Sequence, residues 1–137
     1  MVNFLLKNIL SFHEQLDASE GIRDLGAIEA AVNAPFQTFG GQELCPTVYD
    51  KAARLGYGLC QNHGFIDGNK RVALHAMELF LKLHVILFDC SQQDRINIMM
   101  RVAKGELTAE QLKIWLMATT KIMNKLFVFG TITIKNA

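Results

Sequence analysis

His63-Gly64-Phe65-Ile66-Asp67-Gly68-Asn69-Lys70-Arg71 runs directly into Val72-Ala73-Leu74-His75-Ala76-Met77-Glu78-Leu79-Phe80-Leu81-Lys82-Leu83. Nine of the twelve residues in the second stretch are apolar, more than one surface stripe requires. A helix that is apolar on most sides belongs at the centre of its domain. The pattern therefore predicts a buried helix from about Asn69 to about His84, within a compact, mainly helical bundle. The first stretch then becomes the loop and opening turn of that helix, and it gathers the chain's most useful chemical groups. Gly68 lets the backbone turn tightly, and the free N–H groups of a helix start favour an anion. Asn69 can add a side-chain amide or cap the helix. Lys70 and Arg71 sit in the first turn, where each exposed cation costs about 0.3–1 kcal/mol against the helix dipole. A bound phosphate reverses that penalty, because it meets dipole, ammonium and guanidinium together. Asp67 offers a carboxylate suited to holding Mg²⁺ against phosphate oxygens. His63 can take a proton near neutral pH.

Outward from this stretch, the remaining elements are legible in outline. Phe4, Leu5, Ile9, Phe12, His13 and Leu16 recur at helical spacing, which predicts a helix over about residues 2–17. The polar turn Ser19-Glu20-Gly21 follows, and Asp24 caps a second helix through Ile28, Ala31 and Val32 that stops before Pro35. The Gly40-Gly41 pair, between short mixed segments, predicts a two-residue hairpin turn. Pro46 suits the first turn of a third helix ending near Asn62, with Tyr49, Ala52, Ala53, Gly56, Leu59 and Cys60 on one face. Val85–Asp89 reads as a short strand. Ser91 and Thr108 are N-caps of two further helices, Gln111 completes a capping box with Thr108, and Gly105 ends the first of the two. The tail from Leu126 to Ile134 alternates and is β-branched, and reads equally as a strand, a packed extension or a disordered end.

The chain has 137 residues, half of them apolar and a fifth charged, which fits one domain and excludes disorder. Its net charge of +1 gives no electrostatic reason to expect nucleic acid or an anionic membrane as main partner. Cys45, Cys60 and Cys90 form no CxxC pair, as expected of reduced thiols rather than a disulfide framework or a zinc site. With neither a leader pattern nor an apolar run long enough to span a bilayer, the expectation is a cytoplasmic protein.

The loop also resembles the signature of the Fic/Doc superfamily. AMP-transferring members read His-Pro-Phe-x-Asp/Glu-Gly-Asn-Gly-Arg there, and the death-on-curing (Doc) branch has Lys in place of the second Gly. Lys70 therefore places this chain with the Doc branch. Leu16-Asp-Ala-Ser-Glu-Gly-Ile-Arg-Asp-Leu-Gly26 and Val48-Tyr-Asp-Lys-Ala-Ala53 are similar to Doc-type toxins of bacterial toxin–antitoxin pairs. The resemblance covers about residues 4–120 and leaves 121–137 without a counterpart.

The resemblance implies an all-α Fic-type bundle around the central helix, as a single domain with a small β-hairpin flap. It implies ATP and Mg²⁺ as cofactors and a protein hydroxyl as acceptor, with a threonine of elongation factor Tu as the Doc-branch target. His63 would be the base, Asp67 the metal ligand, and Gly68, Asn69, Lys70 and Arg71 the phosphate holders. Phe65 would anchor the loop, and Phe39, Gly40, Gly41 and Gln42 would form the flap that aligns the target by strand addition. His13 lies where Doc-like chains often carry a histidine. It reads either as a core residue or as part of the site's lining. An antitoxin supplied in trans is the implied partner, since no Ser/Thr-x-x-x-Glu-Gly/Asn inhibitory helix is present. Two departures stand out: Gly64 replaces the usual Pro, and Leu74 stands where AMP-transferring members carry a further Arg. Transfer of AMP, a metal-dependent hydrolase built on His63 and Asp67, and an idle antitoxin-binding module are the alternatives left by the residues alone.

Overall fold

The computed structural model describes residues 1–16 and 21–123. The first helix, α1, spans Val2–Glu14 and ends three residues earlier than its apolar spacing predicts, because Gln15 and Leu16 turn back onto the Phe12 and His13 carbonyls. Ser19 and Glu20 of the expected turn lie outside the described residues. Helix α2 (Leu25–Asn33) starts where Asp24 accepts the Ala27 N–H at 3.1 Å. It gives way to a single 3₁₀ turn, Ala34–Phe36, that contains Pro35. Strands β1 (Thr38–Phe39) and β2 (Gln42–Glu43) pair antiparallel around Gly40 and Gly41, both at positive φ, with Thr38 opposite Glu43. A turn with two left-handed residues matches the twist of the strands it joins.

Helix α3 (Val48–Gln61) begins one cap later than Pro46 predicts. Thr47 is the N-cap, accepting the Asp50 N–H while Asp50 accepts from Thr47, so a capping box sets the helix start and Pro46 stands outside it. Helix α4 (Asn69–Leu83) is the central helix the sequence predicts, with Val72, Ala73, Ala76, Met77, Phe80 and Leu81 buried. It packs chiefly on α3, whose Ala52, Ala53 and Gly56 let the two backbones approach. A Cβ added at Gly56 would lie 2.8 Å from Met77 Sδ, so the absent side chain is what admits the methionine.

Strand β3 (Ile86–Phe88) follows. Helix α5 (Gln92–Ala103) starts on its Ser91 cap, with Gly105 at φ 76° just beyond its end. Helix α6 (Ala109–Thr119) starts on the predicted Thr108–Gln111 capping box. Strand β4 (Thr120–Ile122) then pairs antiparallel with β3, Ile86 opposite Ile122. The sequence reading has no strand there, since three residues carry no usable period. The tail from Leu126 to Ile134 lies outside the described residues. Among the described residues, six α-helices, one hairpin and a second two-stranded antiparallel sheet make this an all-α Fic-like bundle with a small β flap. No helix among the described residues is long and apolar enough to cross a membrane.

Asp50 has a second task, joining α3 to α6 through Lys113 Nζ at 3.2 Å. The Thr47 hydroxyl, donating at 2.6 Å, holds the Asp50 carboxyl below its ordinary value of 3.8, and Lys113 adds to the effect. A carboxyl whose folded-state pKa is depressed contributes stability above its unfolded value and loses it as pH falls through the folded one. Asp50→Ala should therefore cost about 1 kcal/mol at neutral pH, the usual scale for a lost cap. In thermal unfolding scans the gap between the two proteins should narrow as pH drops below 3.8.

Candidate active site

The loop between α3 and α4 is held by its own Asn69, by His13 of α1 and by the segment 21–24 that runs alongside it. Phe65 is buried and forms an isolated antiparallel bridge with Ile22. Asn69 turns its side chain back along the loop: Oδ1 accepts the Phe65 N–H at 3.0 Å, and Nδ2 donates to the Phe65 carbonyl at 2.8 Å. Asn69 is thus a clamp on the loop and does not cap the helix. The N-cap is Gly68, with no side-chain cap bond at all.

His13 reaches the same loop from α1. It is 2% exposed, stacks on Phe65 with ring centroids 3.9 Å apart, and bonds through Nε2 to the Asp67 carbonyl at 2.9 Å. A carbonyl only accepts, so Nε2 carries the proton. The two readings of His13 merge here: it is a core residue whose polar edge supports the site. Gly68 sits at φ 89°, and a Cβ there would meet Leu16 Cδ1 at 3.0 Å and His13 Cδ2 at 3.5 Å. Left-handed backbone and close approach both require glycine.

Residues 21–24 form a strap alongside. The Gly64 carbonyl accepts the N–H groups of Arg23 at 2.8 Å and Asp24 at 3.0 Å, while Ile66 N–H donates to the Gly21 carbonyl at 3.1 Å. Gly64 therefore does not loosen the loop. A Cβ at this position would lie 2.3 Å from Ile28 Cγ1, so the isoleucine occupies the space a larger residue would need.

His63, Asp67, Gly68, Asn69, Lys70 and Arg71 line one open cleft of about 310 Å³, together with Cys60, Ile66 and Ala103. All the site residues read from the loop are thus brought to one place. The hairpin residues Phe39, Gly40, Gly41 and Gln42 are exposed and do not line the cleft, and Phe39 presents 80% of its surface to solvent. Asp67 Oδ1 accepts the Gly68 N–H at 2.8 Å, and Oδ2 lies 3.7 Å from an Arg71 nitrogen. Both side chains are half exposed, so this pair adds little stability and is free to exchange for a ligand. Burial pushes the Cys60 thiol above its ordinary pKa, against the pull of the Lys70 ammonium, so the sulfur at the cleft floor stays protonated. Among the described residues no group of three or more His, Cys, Asp or Glu could hold a metal. A cation at Asp67 would need its other ligands from phosphate oxygens and water, which is how Mg²⁺ ordinarily binds.

The sequence reading misses Arg23, whose Nε donates to the His63 carbonyl at 2.8 Å. Arg23 lies within the Doc-like stretch from Leu16 to Gly26, but the sequence reading gives it no role of its own. Leu74, one turn past Arg71, is half-buried and lines an apolar groove with Ile96, Met99 and Met100.

Comparison with known proteins identifies the family. Residues 3–81 match the family model of the Fic/DOC family, a span that runs from the first turn of α1 into the last turn of α4 and contains the whole loop. The chain is also 43% identical over 63 residues to the protein named Toxin Doc from Mycolicibacterium smegmatis. That match covers 46% of this chain and 48% of the relative, so the similarity spans about half the length of each. With the family match covering more than half of its residues, the chain belongs to the Fic/Doc family.

Proposed function

We propose that this chain is a Doc-type toxin that transfers the γ-phosphoryl group of ATP to a Ser or Thr hydroxyl of a translation factor. Elongation factor Tu is the acceptor that the family resemblance implies. The observation that carries this reading is the start of α4. Its N-cap offers no side-chain partner, and Lys70 and Arg71 stand in its first turn facing the same cleft as His63. Two cations at the positive end of a helix are unfavourable alone and favourable around a polyphosphate. The 43% identity to a protein named Toxin Doc supports the toxin part of the reading.

Phosphoryl transfer asks a protein for positioning and charge stabilisation more than for covalent chemistry. Lys70, Arg71 and the open backbone N–H groups of the helix start would hold the phosphates, with Gly68 keeping the turn low. Asp67 would hold Mg²⁺, which when bound offsets phosphate charge. His63 would accept the proton of the target hydroxyl as its oxygen bonds to the γ-phosphorus and the bond to ADP breaks. The β1–β2 hairpin, with both short strands exposed, would seat the target segment by strand addition.

Leu74 and Lys70 favour the γ-phosphate over AMP as the group transferred. Leu74 packs half-buried against the apolar groove and offers no group to grip the far end of a triphosphate, while Lys70 would crowd its path along the helix start. Regulation would then come from an antitoxin in trans, docked as a helix in a groove of the toxin.

With elongation factor Tu as acceptor, label from γ-labelled ATP should appear on the protein and label from α-labelled ATP should not. Label from the α-position alone would replace the kinase reading with AMP transfer. Lys70→Gly should shift the ratio of the two adducts towards AMP, read by mass spectrometry of the acceptor. Expressed without an antitoxin, the chain should arrest growth. His63→Ala should abolish both arrest and transfer while ATP binding, followed by titration calorimetry, persists. Undiminished arrest by His63→Ala at equal expression would remove His63 as the base.

A further inference from the structure

His63 carries a feature the proposed chemistry does not by itself require: its φ is 50°, in the left-handed region that non-glycine residues rarely adopt. Such a conformation persists only where surrounding structure holds it. The next residue cannot supply the hold through its own stiffness, because Gly64 is the least restricted of residues. The hold comes from across the loop. The Gly64 carbonyl takes two strap N–H groups, and the His63 carbonyl takes the Arg23 guanidinium at 2.8 Å.

We propose that Arg23 is a positioning residue for His63, its guanidinium fixing the peptide that aims the imidazole into the cleft. The proposal rests on His63 being the base of the transfer reaction. Three observations converge on it. Arg23 makes this bond through Nε, one of the five N–H donors that the planar guanidinium holds in a fixed fork. Its own backbone N–H bonds the adjacent Gly64 carbonyl, so one residue pins two consecutive peptides of the loop. It is also exposed, as is His63, so the contact lies outside the hydrophobic core and contributes little to packing. A misplacement of about 1 Å at a catalytic group is enough to cost roughly a hundredfold in rate.

The test uses the full chain with Arg23→Ala and Arg23→Lys, ATP as donor and elongation factor Tu as acceptor. Arg23→Ala should lower kcat by roughly tenfold to a hundredfold while KM for ATP and the melting temperature stay near those of the parent. Added guanidinium ion should restore part of that loss to Arg23→Ala, which no general loosening of the fold would allow. In parallel, carbon-13 and nitrogen-15 spectra should show shift changes at the His63 carbonyl and the Gly64 amide on substitution. An unchanged kcat, or a fall in kcat matched by a rise in KM without guanidinium rescue, would overturn the proposal. So would His63 shifts that stay at their parent values. Should the unsubstituted chain transfer nothing from ATP, the function reading fails, and the spectra alone decide whether Arg23 holds His63.

Discussion

The Phe65–Asn69 clamp is the constraint on which the rest of this structure depends. One side-chain amide closes a five-residue loop by accepting from and donating to the same backbone residue. Each such bond is worth about 1 kcal/mol net, but leaving the Phe65 peptide unpaired beside the core would cost more. Burial of the Phe65 ring adds about 2–3 kcal/mol and ties the loop to α1 through the stacked His13. Once the clamp is closed, Gly68 is placed as N-cap, α4 starts at Asn69, and the Asp67 carboxylate faces the cleft. The central helix and the site are thus a single construction.

Within that construction, the site is under-satisfied by design of its charges. Asp67 spends one oxygen on the Gly68 N–H and leaves the other in a long, half-exposed contact with Arg71. Lys70 and Arg71 face solvent at the unfavourable end of the dipole. Some pairs elsewhere are closer, Lys113 with Asp50 and Glu110, Arg95 with Glu78 and Lys51 with Glu43, while Lys121 and Asp89 lie 3.9 Å apart. The nucleotide phosphates of the proposed function would supply counter-charge to Lys70 and Arg71 there.

Much of the fold was legible because helices announce themselves locally. Caps at Asp24, Ser91 and Thr108 and the apolar run after Arg71 each follow from residues a few positions apart. The misplaced boundaries, at Glu14 and Pro46, fall where a turn or a competing cap overrode an apolar period or a proline signal. Strand β4 escaped because its pairing with β3 is non-local: Thr120 finds Phe88 only after α5 and α6 have folded back.

The sequence by itself determined which chemical groups share the cleft, because His63 to Arg71 is one continuous stretch whose spacing carries its own geometry. The tertiary structure alone decided what holds that stretch in place. His13, Arg23, Gly21 and Ile28 come from α1, the strap and α2, and their bonds reach across 40 or more residues for Arg23–His63 and His13–Asp67. Likewise, the sequence shows only that Gly64 stands where the family signature has Pro. Only the packed chain shows Ile28 filling the space and two strap N–H groups holding the carbonyl. Local patterns encode what a segment can form, whereas the bonds that aim a side chain depend on which distant backbone groups close packing leaves beside it.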